Sequence, residues 1–180
     1  MRTDKGIRLF IFVALIVMLL APSPAERFSD KPEEPAEVVE AVAEYQEPRP
    51  LYDVPLSNEV QRYIFNVSDY YGIEPVLVLA IIERESNYNE AAIGDCGESY
   101  GLMQVQARWH IARMDRLGVE DLLNPYQNIT VGVDILAECI DRYDGDIGAA
   151  LTAYNRGSYQ GKVSEYAKDV LEIKERIEKI

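Results

Sequence analysis

Pro75 is followed by seven apolar residues in a row, Val76-Leu77-Val78-Leu79-Ala80-Ile81-Ile82, and then by Glu83-Arg84-Glu85-Ser86. Proline suits the first turn of a helix, where its missing N–H forfeits no bond, so the pattern predicts a helix that opens at Pro75. A helix that is apolar all round must be buried on nearly all sides. The rest of the chain therefore has to supply partners that surround it. Its polar end, with Glu85 on the same face as Ile81 and Val78, has to emerge at a surface or in a cavity.

The surrounding sequence offers those partners as further helices. Val60, Ile64, Val67 and Tyr71 share one helical face, with Ser57 or Asn58 as cap and Gly72 as stop. A Gly-rich loop with Gly94, Gly97 and Gly101 follows the buried helix, and a helical stretch is expected over about residues 104–117, ending at Gly118. Asn124-Pro125 reads as an N-cap and first-turn proline before a helix carrying Ile129, Val133, Leu136, Ile140 and Tyr143 on one stripe. Asp146 can cap a short helix through Tyr154, and Val163, Tyr166, Val170, Ile173, Ile177 and Ile180 mark a last one. No segment longer than four residues alternates like a strand. The expected fold class is all-α, with one domain over residues 51–180.

Ahead of that domain lie two segments of different character. Residues 9–21 are 13 uninterrupted apolar residues behind Arg2, Lys5 and Arg8. A membrane-spanning helix needs about 20 apolar residues, so the run fits the core of an export signal better. Ser23-Pro24-Ala25 offers small residues for cleavage before Glu26, and no Cys follows that would take a lipid. Residues 1–25 are expected to be a signal peptide or an N-terminal membrane anchor, and the protein to act outside the cytoplasm. Residues 26–50, with eight acids and four Pro, read as an acidic Pro-rich linker.

Charge excludes several functions. The formal net charge is −13, of which the region 51–180 contributes −10 from 12 basic and 22 acidic side chains. That balance opposes nucleic-acid binding, which needs clustered Lys and Arg, and adhesion to anionic lipid, leaving membrane contact to the N-terminal segment. Two Cys and one His are too few for a usual four-ligand zinc site.

Glu85 is the candidate catalytic group. Apolar neighbours and the negative end of a helix dipole both raise a carboxylic pKa, and a carboxyl kept protonated near neutral pH suits a general acid. An exposed acid fraying at the helix end is the plainer alternative. Company decides: Glu85-Ser86, Gly101-Leu102-Met103-Gln104-Val105, Asn128-Ile129 with Gly132, and Ala153-Tyr154-Asn155-Arg156-Gly157 occur in order. The set resembles the catalytic domain of soluble lytic transglycosylases, over about residues 55–165. That family shares a lysozyme-like fold with goose-type lysozymes.

The resemblance implies a peptidoglycan lytic transglycosylase that needs neither metal nor organic cofactor. Glu85 would be the sole acid/base, protonating the oxygen between N-acetylmuramic acid and N-acetylglucosamine. The muramic N-acetyl group would assist at the anomeric carbon, and Glu85 would then deprotonate the C6 hydroxyl to close a 1,6-anhydro ring. Such substrate assistance is a known exception to the two-carboxylate rule. By the same resemblance Ser86 would orient the carboxylate, Gln104 would contact sugar, and Met103 counts among the substrate-binding residues, packing under the cleft. Tyr154 and Asn155 would line the opposite wall, Tyr154 either touching substrate or serving as a core tyrosine. Partners would be peptidoglycan glycan strands and, for exported enzymes of this kind, a secretion or conjugation machine.

This sequence departs from the family in the loop. Some members place a Ser about nine residues after the acid, where this chain has Gly94, and a Met two residues after the Gln, where it has Gln106. Asp95 and Glu98 keep open a lysozyme-type hydrolase in which a loop acid positions water. A non-catalytic glycan-binding scaffold is the third reading. Trp109 is either a sugar-stacking ring or core, and His110 is expected to be structural or exposed. Cys96 and Cys139 permit one disulfide, and the sequons at Asn66 and Asn128 read as coincidence.

Overall fold

A computed structural model describes residues 49–179. The signal and nearly all of the linker expected over residues 1–50 lie outside the described residues, as does Ile180. Helix α1 spans Asn58–Tyr71; the Ser57 hydroxyl accepts from the Val60 amide at 3.2 Å, and Gly72 closes the helix in the left-handed region at φ 67°. Helix α2 spans Pro75–Ser86 and buries Val76 through Ile82 without a break. Each fully buried aliphatic side chain contributes on the order of 2 kcal/mol, so α2 is the keel of the domain. It ends at Asn87, left-handed at φ 49°.

Beyond α2 the chain forms a small hairpin, β1 (Ile93–Gly94) antiparallel to β2 (Ser99–Tyr100), with Ile93 opposite Tyr100 and Gly94 opposite Ser99. The sequence gives no alternation here because the strands are two residues long. The loop is tied further by paired hydrogen bonds between Tyr100 and Val105, each amide donating to the other's carbonyl at 3.0 Å. That pairing corrects the helix expected from residue 104. Gln104 is left-handed at φ 48°, a 3₁₀ turn covers Ala107–Trp109, and helix α3 begins only at Ile111, running to Leu117 before Gly118.

Three longer helices complete the domain. α4 (Pro125–Arg142) is capped by Asn124, whose Oδ1 accepts from the Tyr126 and Gln127 amides at 3.0 and 3.2 Å. α5 (Ile147–Arg156) is capped by Asp146 and ends two residues past the expected end at Tyr154, with Gly157 as its C-cap. α6 (Glu165–Glu178) is capped by Ser164. α2 packs most extensively on α6, α4 packs on α1 and α5, and α5 also meets α6. The result is mostly helical, as expected, with one small hairpin. Among the described residues no helix is long and apolar enough to cross a membrane.

Two buried contacts bind the loop to α4. Asn128, fully buried, accepts from the Met103 amide at 2.8 Å and donates to the carbonyls of Tyr100 (2.7 Å) and Leu122 (2.9 Å). Its side chain is thus committed inside the fold, away from any modification. Met103, also fully buried, lies on Gly132: a Cβ there would stand 2.4 Å from Met103 Sδ and 2.8 Å from its Cβ.

Gly132→Ala therefore overpacks the Met103 seat, despite alanine's better helix propensity. The expected loss is about 1–3 kcal/mol, read as a lower midpoint in chemical denaturation; an unchanged or higher midpoint would contradict the close packing.

Candidate active site

Glu85 stands in the last turn of α2, where the apolar keel gives way to a cleft of about 800 Å³. Its carboxylate accepts a hydrogen bond from the Tyr166 hydroxyl on α6, with an O···O distance of 2.6 Å. Burial drives the Glu85 pKa up; the Tyr166 bond and the Arg84 cation pull it down, the Asp95 charge pushes it up, and the net shift is upward. Burial and the Glu85 charge raise the Tyr166 phenol strongly, so it remains a neutral donor. Arg84 lies over the Tyr166 ring at 5.6 Å and pairs with Asp169 at 3.0 Å. The opposed influences leave a carboxyl that is harder to ionise than usual yet held in one orientation.

The cleft has distinct walls. One is the hairpin loop, with Asp95, Ser99, Gln104, Val105 and Gln106; facing it, the end of α5 supplies Tyr154, Asn155, Arg156 and Gly157. Trp109, His110 and Arg113 continue the loop side, and Ile135, Glu138, Cys139 and Arg142 come from α4. The expected residues Gln104, Tyr154 and Asn155 are thus gathered in one cavity with Glu85. The Gln104 amide donates to the carbonyls of Gly101 (2.9 Å) and Ala92 (3.3 Å). Its Oε1 fills the space beside Gly94, where a Cβ would come within 2.3 Å of it. Gly101, left-handed at φ 70°, lets the loop lie against Asn128 and the Leu122 carbonyl, which a Cβ would meet at 2.5 Å.

Two expected roles need correction. The Ser86 hydroxyl donates to the Ile82 carbonyl one turn back at 3.0 Å, rather than to Glu85, and Ser86 does not line the cleft. Met103 offers no side-chain surface to a ligand; it is fully buried against Gly132, and its backbone carbonyl accepts from the Tyr154 hydroxyl at 3.0 Å. Tyr154 thus has its hydroxyl anchored inward while the residue borders the cavity.

Tyr166 is the residue that sequence reasoning missed. It entered only as one member of a hydrophobic stripe, although it is the sole hydroxyl-bearing side chain among Val163, Val170, Ile173 and Ile177. A tyrosine in an aliphatic stripe was the available signal, because a buried phenol needs a partner.

The loop acids separate. Asp95 borders the cleft and accepts from Ser99 Oγ (2.5 Å) and Gln106 Nε2 (3.0 Å). Glu98 pairs with Arg108 at 3.4 Å and lies outside the lining. His110 is half-buried, and burial holds its imidazole below the ordinary value. Cys96 is exposed and Cys139 buried, both as free thiols, so the permitted disulfide is not formed. Among the described residues no group of three or more His, Cys, Asp or Glu is placed to hold a metal.

Comparison with known proteins gives a consistent result. A family model described as the transglycosylase SLT domain matches residues 62–176. A transglycosylase of Enterobacteria phage PRD1 is 38% identical over 93 residues, covering 52% of this chain and 33% of the phage protein. Membrane-bound lytic murein transglycosylase C of Actinobacillus pleuropneumoniae serotype 5b is 39% identical over 102 residues, 49% of this chain and 28% of that protein. The chain thus spans a third or less of the length of these two relatives. The crystal structure of an inactive mutant of the lytic transglycosylase Slt from Pseudomonas aeruginosa superposes with a TM-score of 0.55. It is 18% identical and covers 67% of this chain and 24% of Slt. That likeness establishes a common fold.

The Tyr166 bond favours the ionised carboxylate, so Tyr166→Phe should move the Glu85 pKa further up. A carbon-13 NMR titration of the carboxyl reads this directly, and an equal or lower value would contradict it. Because the folded protein holds this proton more tightly than the unfolded chain, its stabilising effect is full below the unfolded carboxyl value. It is lost as pH rises through the folded value. Glu85→Gln should therefore be more stable than the parent at pH 7, with the difference vanishing toward pH 3.

Proposed function

The chain belongs to the transglycosylase SLT domain family, and from that premise we propose that it is a lytic transglycosylase. Its substrate in this reading is the β-1,4 bond from N-acetylmuramic acid to N-acetylglucosamine in peptidoglycan. The single observation that carries the reading is Glu85: a half-buried carboxyl of raised pKa, oriented by Tyr166, facing a cleft with a polar wall on each side.

Glu85 enters the reaction protonated and gives its proton to the glycosidic oxygen as the bond to the anomeric carbon breaks. The N-acetyl oxygen of the muramic sugar bonds to that carbon in place of a protein nucleophile. Glu85, now a carboxylate, accepts the proton of the C6 hydroxyl; the C6 oxygen displaces the N-acetyl oxygen and closes the 1,6-anhydro ring. No water is consumed and Glu85 ends protonated, ready for the next bond. Tyr166 keeps the carboxyl in register throughout and steadies its ionised form. Asn155 and Gln104 are the polar groups available to the sugar on the two walls, while Tyr154 holds the loop through the Met103 carbonyl.

One observation favours a second reading, hydrolysis. Asp95 also borders the cleft, and only one of its oxygens is occupied by Ser99 and Gln106. If that carboxylate activates water, the product is a reducing end. Residues 1–25 are proposed to export the protein, and residues 26–50 to give the domain reach at the cell envelope. Glycan strands are the proposed partners, with a secretion or conjugation machine as the setting in which local opening of the wall is used.

Glu85→Gln should lower release of soluble fragments from purified peptidoglycan by about 10³-fold, the order expected when a general acid is removed, while the chain stays folded. Asp95→Asn should retain activity to within about threefold under lytic transglycosylation. A loss as large as that of Glu85→Gln would favour hydrolysis; release undiminished in Glu85→Gln would show that Glu85 is not the acid, and no release by the parent chain would leave the scaffold reading.

A further inference from the structure

Trp109 is the chain's single tryptophan, and it is 71% exposed on the lining of the cleft that holds Glu85. Isolated surface apolar residues are ordinary, but this indole is tethered on two sides. Its Nε1–H donates to Gln106 Oε1 at 3.1 Å, and the Arg108 guanidinium carbon lies 5.2 Å from the ring centroid. Arg108 donates to the same Gln106 oxygen at 3.1 Å and is tethered to Glu98 at 3.4 Å. At its other end the Gln106 amide donates to Asp95 Oδ2 at 3.0 Å and Ser99 Oγ at 3.1 Å. A single amide thus joins the indole to the loop that faces Glu85, using both its donor and its acceptor.

A ring immobilised before any ligand arrives loses little further entropy on binding, which is the condition under which an exposed aromatic contributes most to affinity. We propose that Trp109 is a platform for a pyranose ring of the glycan strand, and that Gln106 is its positioning residue. The proposal rests on the glycan reading of the cleft. The β-1,4-linked sugars carry their hydroxyls and substituents around the ring edge and leave flat C–H faces, which match an indole face in size and polarity. Trp109 is held by Gln106 and Arg108 rather than by Glu85 or Tyr166, and in this proposal the sugar it takes flanks those sharing the scissile bond. The platform therefore selects for strand length rather than for the broken bond. Asp95 then acts as a strut for Gln106, which gives that carboxylate an employment other than activating water.

Having one tryptophan makes the test direct. In the full-length Glu85→Gln chain, all indole emission comes from Trp109. Titration with chito-oligosaccharides of two to six sugars should give a saturable blue shift and protection from acrylamide for the longer oligomers only. Calorimetry should show Trp109→Ala weakening hexamer binding by about tenfold, on the order of one lost aromatic stacking contact. Trp109→Phe should recover most of it, and Gln106→Ala should fall between. On long peptidoglycan strands, Trp109→Ala in the active chain should raise KM with kcat retained. Hexamer binding that leaves the emission unchanged, or Trp109→Ala that keeps the parent Kd, would overturn the platform. Absence of oligomer binding with strand turnover intact would also overturn it. Loss of both binding and turnover in the parent chain would instead overturn the glycan reading beneath it.

Discussion

Desolvation of one carboxyl at the end of an apolar helix is the constraint on which the site depends. The seven residues Val76 to Ile82 can be buried only if helices cover α2 on most sides, and α6 supplies much of that cover. The packing that buries the keel therefore also brings Tyr166 within 2.6 Å of Glu85. Had α2 been amphipathic, Glu85 would have ended in water with an ordinary pKa. The upward shift and the fixed orientation are thus two consequences of one packing choice, with burial as the larger influence and the tyrosine bond as its partial counterweight.

The opposite side of the cleft is organised by a buried polar network. Asn128 satisfies three backbone groups, Met103 rests on Gly132, and the Met103 carbonyl holds Tyr154. Buried polar groups stabilise a unique arrangement when all their bonds are made, and here that arrangement places Gln104 on the cavity wall. Conserving volume at Met103 and Gly132 thus has a consequence for the cleft although neither side chain lines it.

Much of this was legible in the sequence, for reasons that differ by element. Long helices with caps were visible because Ser57, Asn124 and Asp146 occupy cap positions ahead of regular apolar stripes. Glu85 was visible because it ends an unbroken apolar run and because the motifs at 101–105, 128–132 and 153–157 follow it in order. The hairpin was not, since two-residue strands carry no period, and the expected helix from residue 104 failed because Gln104 adopts φ 48° and Val105 pairs back to Tyr100. Tyr166 was hidden by distance: its partner is 81 residues away, and no local pattern reports such a contact. Ser86 misled because its neighbour in sequence is the catalytic candidate, whereas on a helix its hydroxyl finds the carbonyl four residues back.

The proposed chemistry asks one carboxyl to serve first as acid and then as base, with no second carboxylate and no water entering the product. Mass spectrometry of fragments released from peptidoglycan by the wild-type chain in oxygen-18 water tests that claim most directly. Products that end in 1,6-anhydro-N-acetylmuramic acid and carry no heavy oxygen are the predicted result. Reducing-end products labelled with one oxygen-18 would contradict it, and would transfer the chemistry to a hydrolase in which Asp95 directs the attacking water.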